Sequence, residues 1–511
     1  MYDIIIIGAG VGGLSCAAKL AYNGLKVLVV EEIHHIGGTS HIFKRKKNGT
    51  YFFPMGPLSF SHPDFVKLML EEMGVNGKLS FQRNHFKLKT SDIDIIYSKP
   101  WNQFQKELKK QFPEDSAGID KFFSELNKII DAIRHVQEWH PDFTLIQDSD
   151  LEKIPKAHQT DYDLIEKYSK ISSKTILDKY IANPTLKKLL GSQGTYEPIM
   201  SMVHLAFMWN VMSIEGIWYP SIGIYGINEL LSDVIKKYEG QILLNTPVKE
   251  ILIEEGKAIG IETQKGEIFK SKWVVSNADY KTTFLKLINP KNIPEDHLKL
   301  VKESSYTSSE LCVYVGIDPT KTDLSSLSTE HTFYRNDSAI PWENTEYIPF
   351  FQNKEIEICK WSEKEPDSVP EEQASLILRL NMDINNFLDW RIGVKKRKKE
   401  YYEFKKTLAN FLIQIVETII PGLSDSINIM EIATPLTYLD WGKRYNGSIA
   451  GWHRDMDKVK GFGKKLLIIT PIKNLLAVGI YSSLEPYLGG YPVSMFSGNL
   501  AADFILNQKK S

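Results

Sequence analysis

The first thirty-one residues constrain the fold more than any other part of the chain. A short apolar run, Ile4 to Ile7, leads into the glycine pattern G-A-G-V-G-G at 8–13. An alanine-rich segment with helical spacing follows, then a second apolar run at 27–30 that ends in Glu31. Short runs rich in β-branched residues are typical of strands buried on both faces. The order strand, G-x-G-x-x-G, helix, strand, acid predicts a dinucleotide-binding unit.

Each part of this unit has a physical task. Gly8 allows the tight turn, Gly10 lets a pyrophosphate approach the backbone, and Gly13 lets the helix pack closely on the strand. The N-terminus of the helix offers unpaired N–H groups to phosphates. Glu31 accepts hydrogen bonds from ribose hydroxyls, and its charge disfavours NADP because a 2′-phosphate would face a carboxylate. The unit therefore predicts a dinucleotide such as FAD or NAD.

The segment after Glu31 also suits close approach by a dinucleotide. Gly37 and Gly38 have no side chains to obstruct close approach, and Thr39 and Ser40 then supply hydroxyls. No second G-x-G-x-x-G is visible in the sequence, so a second dinucleotide domain for NAD(P)H is not expected.

Three further blocks carry a resemblance to a known family. They are Gly56-Pro57 after the aromatic run at 51–53, "VVSNADYKTT" at 274–283, and the C-terminal stretch at 475–506 with Gly479 and Gly489-Gly490. Together with the N-terminus, they resemble the flavoprotein superfamily of amine oxidases and bacterial phytoene desaturases. The segment "TPLTYLDWGKRYNGSIAGW" at 434–452 makes the chain most similar to the phytoene desaturase, carotenoid isomerase and retinol saturase branch. The resemblance covers about half of the chain.

The resemblance implies an α/β fold in which a discontinuous, Rossmann-like FAD-binding domain carries an inserted, mixed α+β substrate domain. The first domain is assigned residues 1–61, 219–290 and 426–511, and the second residues 62–218 and 291–425. Two positions depart from the family: Ile480 replaces an acid after Gly479, and Pro54 replaces an Asp. The residues assigned to FAD are Gly8, Ala9, Gly10, Val11, Gly12, Gly13, Glu31, Glu32, Gly37, Gly38, Thr39, Ser40, Gly56, Val248, Asn277, Ala278, Gly479, Ile480, Gly490, Tyr491 and Pro492.

The function implied is that of an FAD-dependent oxidoreductase that exchanges hydride between flavin N5 and an apolar polyene or isoprenoid. Desaturation, saturation and isomerisation all use this arrangement, which needs mainly a dry, orienting cavity. No catalytic residue, metal or electron acceptor is assigned; His453 and Arg454 are candidates for an acid or an anchor. Two alternatives stay open: a flavin amine oxidase, and a non-enzymatic isoprenoid or prenyl-protein carrier of the Rab escort and GDP-dissociation-inhibitor type.

Residues 194–220 are rich in aromatic residues and methionine. For any single residue there, a place in a helical core is the simpler interpretation. As a group, they could line an apolar tunnel, since ligand pockets are mostly apolar. Substitution of Met208 or Trp209 should then change substrate scope more than flavin content.

The charge balance and the number of cysteines limit the partners and the cellular location that can be expected. The chain has 62 Lys plus Arg against 63 Asp plus Glu, which argues against a nucleic-acid partner. Three cysteines, the lack of a signal-peptide pattern and the lack of a long apolar run predict a cytoplasmic protein. The basic cluster at 395–399 is interpreted as the solvated start of a helix over 395–420 or as a contact to anionic lipid. We therefore expect, at most, peripheral association with a membrane.

Overall fold

The computed structural model describes residues 1–77, 79–91, 93–139, 155–191, 200–335, 345–449, 451–452, 468–482 and 490–510. His453, Arg454 and Gly489, which the sequence singled out, lie outside these residues, as does part of the segment 194–220.

The strands are short and spread along the whole chain. They are β1 (Tyr2–Ile7), β2 (Val27–Val30), β3 (Ile42–Lys46), β4 (Thr50–Pro54), β5 (Phe60–Ser61), β6 (Phe81–Asn84), β7 (Phe86–Lys89), β8 (Asp94–Ile96), β9 (Ile217–Pro220), β10 (Gln241–Leu243), β11 (Val248–Glu254), β12 (Lys257–Thr263), β13 (Ile268–Ser276), β14 (Ser309–Ile317), β15 (His331–Tyr334), β16 (Ile356–Lys360), β17 (Ala374–Met382), β18 (Arg391–Gly393), β19 (Lys396–Arg397), β20 (Ile427–Ala433) and β21 (Leu475–Ala477).

Helices lie between the strands and at the C-terminal end. They are α1 (Val11–Tyr22), α2 (Pro63–Glu71), α3 (Trp101–Gln111), α4 (Ser116–Trp139), α5 (Lys156–Ser169), α6 (Ser173–Tyr180), α7 (Pro184–Gly191), α8 (Met202–Asn210), α9 (Gly223–Lys237), α10 (Tyr280–Lys286), α11 (Glu295–Glu303), α12 (Ile348–Phe351), α13 (Trp361–Lys364), α14 (Tyr401–Glu417), α15 (Leu423–Ser426), α16 (Pro435–Asp440) and α17 (Gly490–Lys510).

The first sheet is assembled from three distant parts of the chain. Its order is β10-β2-β1-β13-β12-β11, and β21 also pairs with β13. The pairs β1–β2, β1–β13, β2–β10 and β13–β21 are parallel, whereas β11 and β12 form an antiparallel extension. Parallel strands present their carboxyl ends at one edge, so the segments after β1, β2, β13 and β21 meet there. This architecture confirms the predicted α/β class.

The second sheet is mainly antiparallel, in the order β20-β14-β17-β16-β15-β7-β8. One face packs on α14 through apolar side chains such as Leu311, Val313 and Leu412. On the opposite face, Cys312 and Tyr314 join the apolar core that also contains α1 and the first sheet. A helical layer formed by α3 to α8 has its own core beside strands β7 and β8. Strand β20, which falls in the part of the chain assigned to the FAD-binding domain, pairs with β14 in this second sheet. The domain boundaries stay a prediction.

Local signals placed several elements correctly. The Asn48-Gly49 pair in the sequence predicts the tip of a hairpin, and this tip lies between β3 and β4, with Asn48 at φ 52° and Gly49 at φ 129°. The apolar periodicity of residues 228–238 predicts a helix; α9 covers this segment but begins at Gly223 rather than at Asn228.

The predicted start of the helix over 395–420 is wrong. Residues 391–397 form the β18–β19 hairpin, and α14 begins only at Tyr401. The reason is a tertiary contact: buried Asp440 accepts hydrogen bonds from the side chain of Arg391 and from the backbone N–H of Lys395. Arg397 forms an ion pair with the same carboxylate, at 2.7 Å.

In the part of the chain that the structure describes, no helix combines the length and apolar character needed to cross a membrane.

Helices α1 and α17 pack against each other at close range. A Cβ added to Gly498 would lie 2.2 Å from the carbonyl oxygen of Gly12 and 2.9 Å from the backbone nitrogen of Cys16. Ser15 donates a hydrogen bond to Oδ1 of Asn499, at 2.9 Å. Lys19 forms an ion pair with Asp503 at the same distance. Glycine at 498 is therefore required for this contact.

We predict that Gly498→Ala destabilises the protein. The methyl group would overlap backbone that belongs to two helices, and overpacking of this kind costs about 1–3 kcal/mol. The free energy of unfolding, measured by denaturant titration, should fall by that amount. Gly77→Ala is the matched control, because a Cβ there meets nothing within 4 Å. Equal stability of the two variants would contradict the prediction.

Candidate functional site

A cavity of about 670 Å³ lies between the carboxyl edge of the first sheet and one face of the second sheet. Segments that follow β1, β2, β13 and β21 form one end of it. Strands β14 to β17 and helix α8 form the other end. The volume is within the range of small-molecule sites.

A glycine-lined cradle forms the first end of the cavity. A Cβ on Gly10 would lie 2.6 Å from Nδ2 of Asn277, and one on Gly12 would lie 2.7 Å from Oδ1 of the same residue. A Cβ on Gly479, which has φ 99°, would meet that oxygen at 2.8 Å. Gly10 is the N-cap of α1 and has no side chain to cap it. The first N–H groups of the helix therefore face the cradle, which suits a phosphate.

Glu31 lies at the carboxyl end of β2 and is 8% exposed. Its carboxylate accepts hydrogen bonds from the backbone N–H groups of Ala9, at 2.6 Å, and Ile33, at 3.0 Å. Burial raises the pKa of Glu31, and these two bonds offset part of the effect. The neighbouring Glu32 is more exposed and forms an ion pair with Lys443 at 2.6 Å. The two carboxylates thus differ in how firmly they are held.

The glycine pair after Glu31 crosses the cradle. The backbone N–H of Gly37 donates to the carbonyl oxygen of Ala9, at 2.7 Å, and Gly37 has φ 91°. The side-chain amide of buried Asn228 donates to both the carbonyl and the hydroxyl oxygen of Ser40, at 2.9 Å. Tyr491, in the first turn of α17, donates to Oδ1 of Asn228. Asn228 therefore joins the loop to the C-terminal helix, a role that its sequence context did not reveal.

Most of the residues predicted for the cofactor line this one cavity. They are Gly8, Gly10, Val11, Gly12, Glu31, Glu32, Gly37, Gly38, Thr39, Ser40, Gly56, Val248, Asn277, Ala278, Gly479, Ile480, Gly490 and Tyr491.

Three predicted residues lie behind the cavity wall. Ala9 holds Glu31 through its N–H. A Cβ on Gly13 would lie 2.2 Å from the carbonyl oxygen of Gly8, so this glycine allows the helix to pack on the strand. Pro492 is buried in the first turn of α17. These three residues pack behind the cavity without lining it.

The residues present fit FAD. The cradle would be filled by a Cβ at Gly10 or Gly12, a free helix N-terminus faces it, and a buried carboxylate stands at the end of β2. Each feature matches one part of an adenine dinucleotide: the approach of the pyrophosphate, its charge, and the ribose hydroxyls.

Two charged residues in the cavity wall were missed by the sequence reasoning. Arg444 donates a hydrogen bond to Oγ1 of Thr39, at 2.6 Å. Buried Asp279 accepts from the hydroxyl of Tyr306, at 2.9 Å, and from the backbone N–H of Tyr445, at 3.0 Å. Burial raises the pKa of Asp279, whereas these bonds act in the opposite direction. Both residues lie in segments quoted for the family resemblance, but their roles depend on contacts between those segments.

The second sheet contributes a charged patch to the opposite wall of the cavity. Glu310 on β14, Glu357 on β16 and Arg379 on β17 all line it. Nε of Arg379 donates to Glu357 at 2.7 Å, and Nδ1 of His331 lies 2.8 Å from the same carboxylate. Burial alone would raise the pKa of Glu357, but the charge of Arg379 and the His331 contact outweigh it and lower the pKa. We call Glu310, Glu357, Arg379 and Tyr438 the charged wall.

Apolar side chains occupy the wall next to helix α8. Met208 and Met212 line the cavity, together with Phe86 and Phe333 from the second sheet. Trp209 instead belongs to the core of the helical layer, where its Nε1 donates to the carbonyl oxygen of Leu190 at 2.8 Å. Of the two residues of segment 194–220 predicted to affect substrate scope, Met208 therefore lines the cavity, whereas Trp209 packs outside it.

Among the described residues, no group of three or more His, Cys, Asp or Glu side chains is arranged to hold a metal ion.

Comparison with known sequences identifies a family. The family described as flavin containing amine oxidoreductase matches residues 11–346, about two thirds of the chain.

Several relatives are similar over nearly the whole chain. A prolycopene isomerase from Daucus carota is 28% identical over 99% of this chain and 81% of its own length. An all-trans-retinol 13,14-reductase from Danio rerio is 23% identical, with coverage of 98% and 85%. A 1-hydroxycarotenoid 3,4-desaturase from a Flavobacterium is 23% identical over 99% of both chains.

Solved structures share the fold at lower identity. An oxidoreductase from Methanosarcina mazei superimposes with a TM-score of 0.63 at 15% identity, over 97% of this chain and 99% of the other. A cyclohexylamine oxidase from Brevibacterium oxydans gives 0.62 at 14% identity, with both chains covered completely. At this identity the likeness shows the fold alone.

We predict that Glu31→Gln weakens FAD binding much more than Glu32→Gln does. Loss of a buried, charged hydrogen-bond acceptor costs about 1.5–3 kcal/mol, or roughly tenfold to a hundredfold in Kd. Glu32 is partly solvated, so its substitution should change Kd by less than about threefold. Fluorescence titration of the apoprotein with FAD measures both values. Similar losses in the two variants would show that Glu31 has no special role.

Proposed function

The chain belongs to the flavin containing amine oxidoreductase family, and we propose that it is an FAD-dependent oxidoreductase acting on C–C bonds of an apolar polyene or isoprenoid. One observation carries the proposal: a single cavity joins the glycine cradle to an apolar chamber next to α8. A reaction between a flavin and a hydrocarbon needs both to share one dry space. The relatives named for carotenoid and retinoid reactions support this substrate class.

FAD, when bound, supplies hydride exchange, and the chain supplies binding and orientation. Glu31 would hold the ribose hydroxyls of FAD, and the N-terminus of α1 would face its diphosphate. Met208, Met212 and Phe333 would orient an apolar chain and exclude water from it. An amine substrate is less favoured, because the relatives at 23–28% identity are named for prolycopene, retinol and a hydroxycarotenoid, whereas the cyclohexylamine oxidase is only 14% identical.

The direct test uses the purified protein, reconstituted with FAD and reduced or oxidised under anaerobic conditions. We expect a yellow protein whose flavin spectrum changes when a poly-cis carotenoid or a retinoid is added, with product identified by chromatography. Bleaching by amines but not by polyenes would support amine oxidation instead. Failure to take up FAD would support the carrier alternative.

We predict that Met208→Trp lowers polyene turnover without lowering flavin content. The larger side chain would fill part of the apolar chamber, and the methionine is remote in sequence from the cradle. Turnover of a long polyene should fall at least tenfold, while the ratio of flavin to protein absorbance stays unchanged. Met208→Leu is the matched control, because a swap that conserves volume is tolerated in packed sites. Parallel loss of flavin and turnover would contradict the prediction.

We further propose that the β18–β19 hairpin contacts an anionic membrane surface. Ile392 and Val394 at its tip are 63% and 62% exposed, and the neighbouring Trp441 is 52% exposed. Nζ of Lys395 lies 3.6 Å from the centre of the Trp441 ring. Further exposed lysines flank the tip: Lys396, Lys398 and Lys399.

The location of this hairpin supports the proposal. Asp440 holds the hairpin to α16, and the residues after it, Trp441 to Arg444, line the cavity. An apolar tip with basic flanks is the pattern of interfacial binding, and each lysine near an anionic surface contributes about 1 kcal/mol. A substrate that partitions into lipid would then lie close to the protein surface beside the cavity.

We predict that Ile392→Ser combined with Val394→Ser reduces binding to vesicles that contain phosphatidylserine. Loss of two inserted apolar side chains should weaken binding at least tenfold, since each contributes about 1.5–3 kcal/mol when fully buried. Vesicle co-sedimentation at low salt measures it. The control is Ile268→Ser, in β13, where the isoleucine is 60% exposed. If wild-type protein does not sediment with these vesicles, or if both variants behave alike, the hairpin is not a membrane contact.

A further inference from the structure

Glu310 is the one charged residue of the buried strand β14. Every residue of β14, Ser309 to Ile317, is buried, and Glu310 is 8% exposed. Its side chain lines the cavity on the same face of the strand as Cys312 and Tyr314, which enter the core behind it. A purely hydrocarbon-binding wall has no need of a carboxyl group, whose burial is costly. The position therefore calls for a chemical role.

Burial favours the neutral form of Glu310, and its neighbours offset that effect only in part. It accepts a hydrogen bond from the hydroxyl of buried Tyr438, and none of the ion pairs among the described residues includes it. Arg379, the nearest cation on the adjacent strand, is instead paired with Glu357 at 2.7 Å. The guanidinium of Arg379 thus faces both carboxyl groups, but its ion pair is with Glu357 and not with Glu310.

The pKa values of the two carboxyl groups diverge accordingly. Burial raises the pKa of Glu310, while the charges of Arg379 and Arg444 and the hydrogen bond from Tyr438 act against it. The charge of Glu357 raises it further. The pKa of Glu357 is lowered, as described above. Two carboxyl groups driven apart in this way are characteristic of acid–base sites.

We propose that Glu310 is a catalytic residue that exchanges a proton with a carbon of the bound polyene; this inference rests on the proposed function. In the forward step, the O–H bond of Glu310 breaks and leaves its electron pair on the carboxylate. The π pair of one C=C bond forms a new C–H bond, and the positive charge that remains is delocalised along the polyene. Return of a proton to the carboxylate restores the double bond, so the step is redox-neutral and needs no further reactant.

The charged wall gives this step its pH dependence. Arg379 lies close enough to stabilise the carboxylate that forms, and Tyr438 keeps its hydrogen bond to either form. Because the pKa of Glu310 is raised, the proton is present below that pKa and is lost as the pH rises through it. Proton delivery should therefore decline on the alkaline side. Burial sets the midpoint first, and the surrounding groups adjust it: Arg379, Glu357, Arg444, Tyr438, Cys312 and Tyr314.

The first test reads the protonation state without turnover. Infrared spectra of the flavin-loaded protein should show the C=O stretch of a neutral carboxylic acid, which shifts in D₂O and disappears as the pH is raised. The difference between wild-type protein and Glu310→Gln isolates the band of this residue. A neutral-acid band that is identical in both proteins would overturn the proposal.

The second test follows the proton. In D₂O, conversion of a poly-cis carotenoid should place deuterium on a polyene carbon, and Glu310→Gln should lower this incorporation about a hundredfold or more. Glu310→Asp, which keeps the acid, should restore part of it. Glu365→Gln is the control, because that carboxyl group also has a raised pKa but does not line the cavity.

The outcomes separate the two proposals. Wild-type protein that converts no polyene would overturn the proposed function and the role of Glu310 together. Conversion with deuterium incorporation that persists in Glu310→Gln would overturn only the role of Glu310. Loss of incorporation together with loss of bound flavin would assign Glu310 a structural role instead, so the flavin spectrum of each variant is recorded alongside.

Discussion

The close packing of α1 on α17 is the contact on which the rest of the structure depends. Gly12 and Gly498 let two helix backbones approach to a distance that no side chain would allow. The same approach places Gly479 beside the N-terminus of α1, where its N–H donates to Ser497 at 2.8 Å. The cradle is therefore a consequence of helix packing as much as of the glycine motif. A motif without its packing partner would be an ordinary loop.

The cavity has two ends of different chemical character. Its first end offers backbone N–H groups and a carboxylate, which suit a charged dinucleotide. Its other end has methionine side chains from α8 and the residues after it, and aromatic side chains from the second sheet. The charged wall lies on this second sheet as well. Because the local dielectric is low there, each charge interacts more strongly with its neighbours than it would in water. Burial raises the pKa of Glu310, and the charges of Arg379 and Glu357 then act on that pKa in opposite directions.

The sequence allowed prediction of those features whose signals are local. The βαβ unit, the hairpin at Asn48 and most of the cradle follow from short patterns of glycine and apolar residues. The charged wall could not be predicted in this way, because Glu310 and Arg379 are separated by dozens of residues and meet only through strand pairing. A single charged residue inside a strand rich in apolar residues was the available signal. The start of α14 was misplaced because Asp440, also distant in sequence, holds the preceding residues in a hairpin.

The topology also implies an order in which parts of the structure can fold. Strand β21 and helix α17 complete a sheet and a cradle whose other parts lie up to 484 positions earlier, as the contact between Ser15 and Asn499 shows. Contacts of such long range close late, and a chain made from its N-terminus exposes the edge of β13 until they do. During synthesis, the nucleotide site thus comes together only when the last helix docks. Occupancy of the site would then report that the chain has been made as far as α17 and has folded.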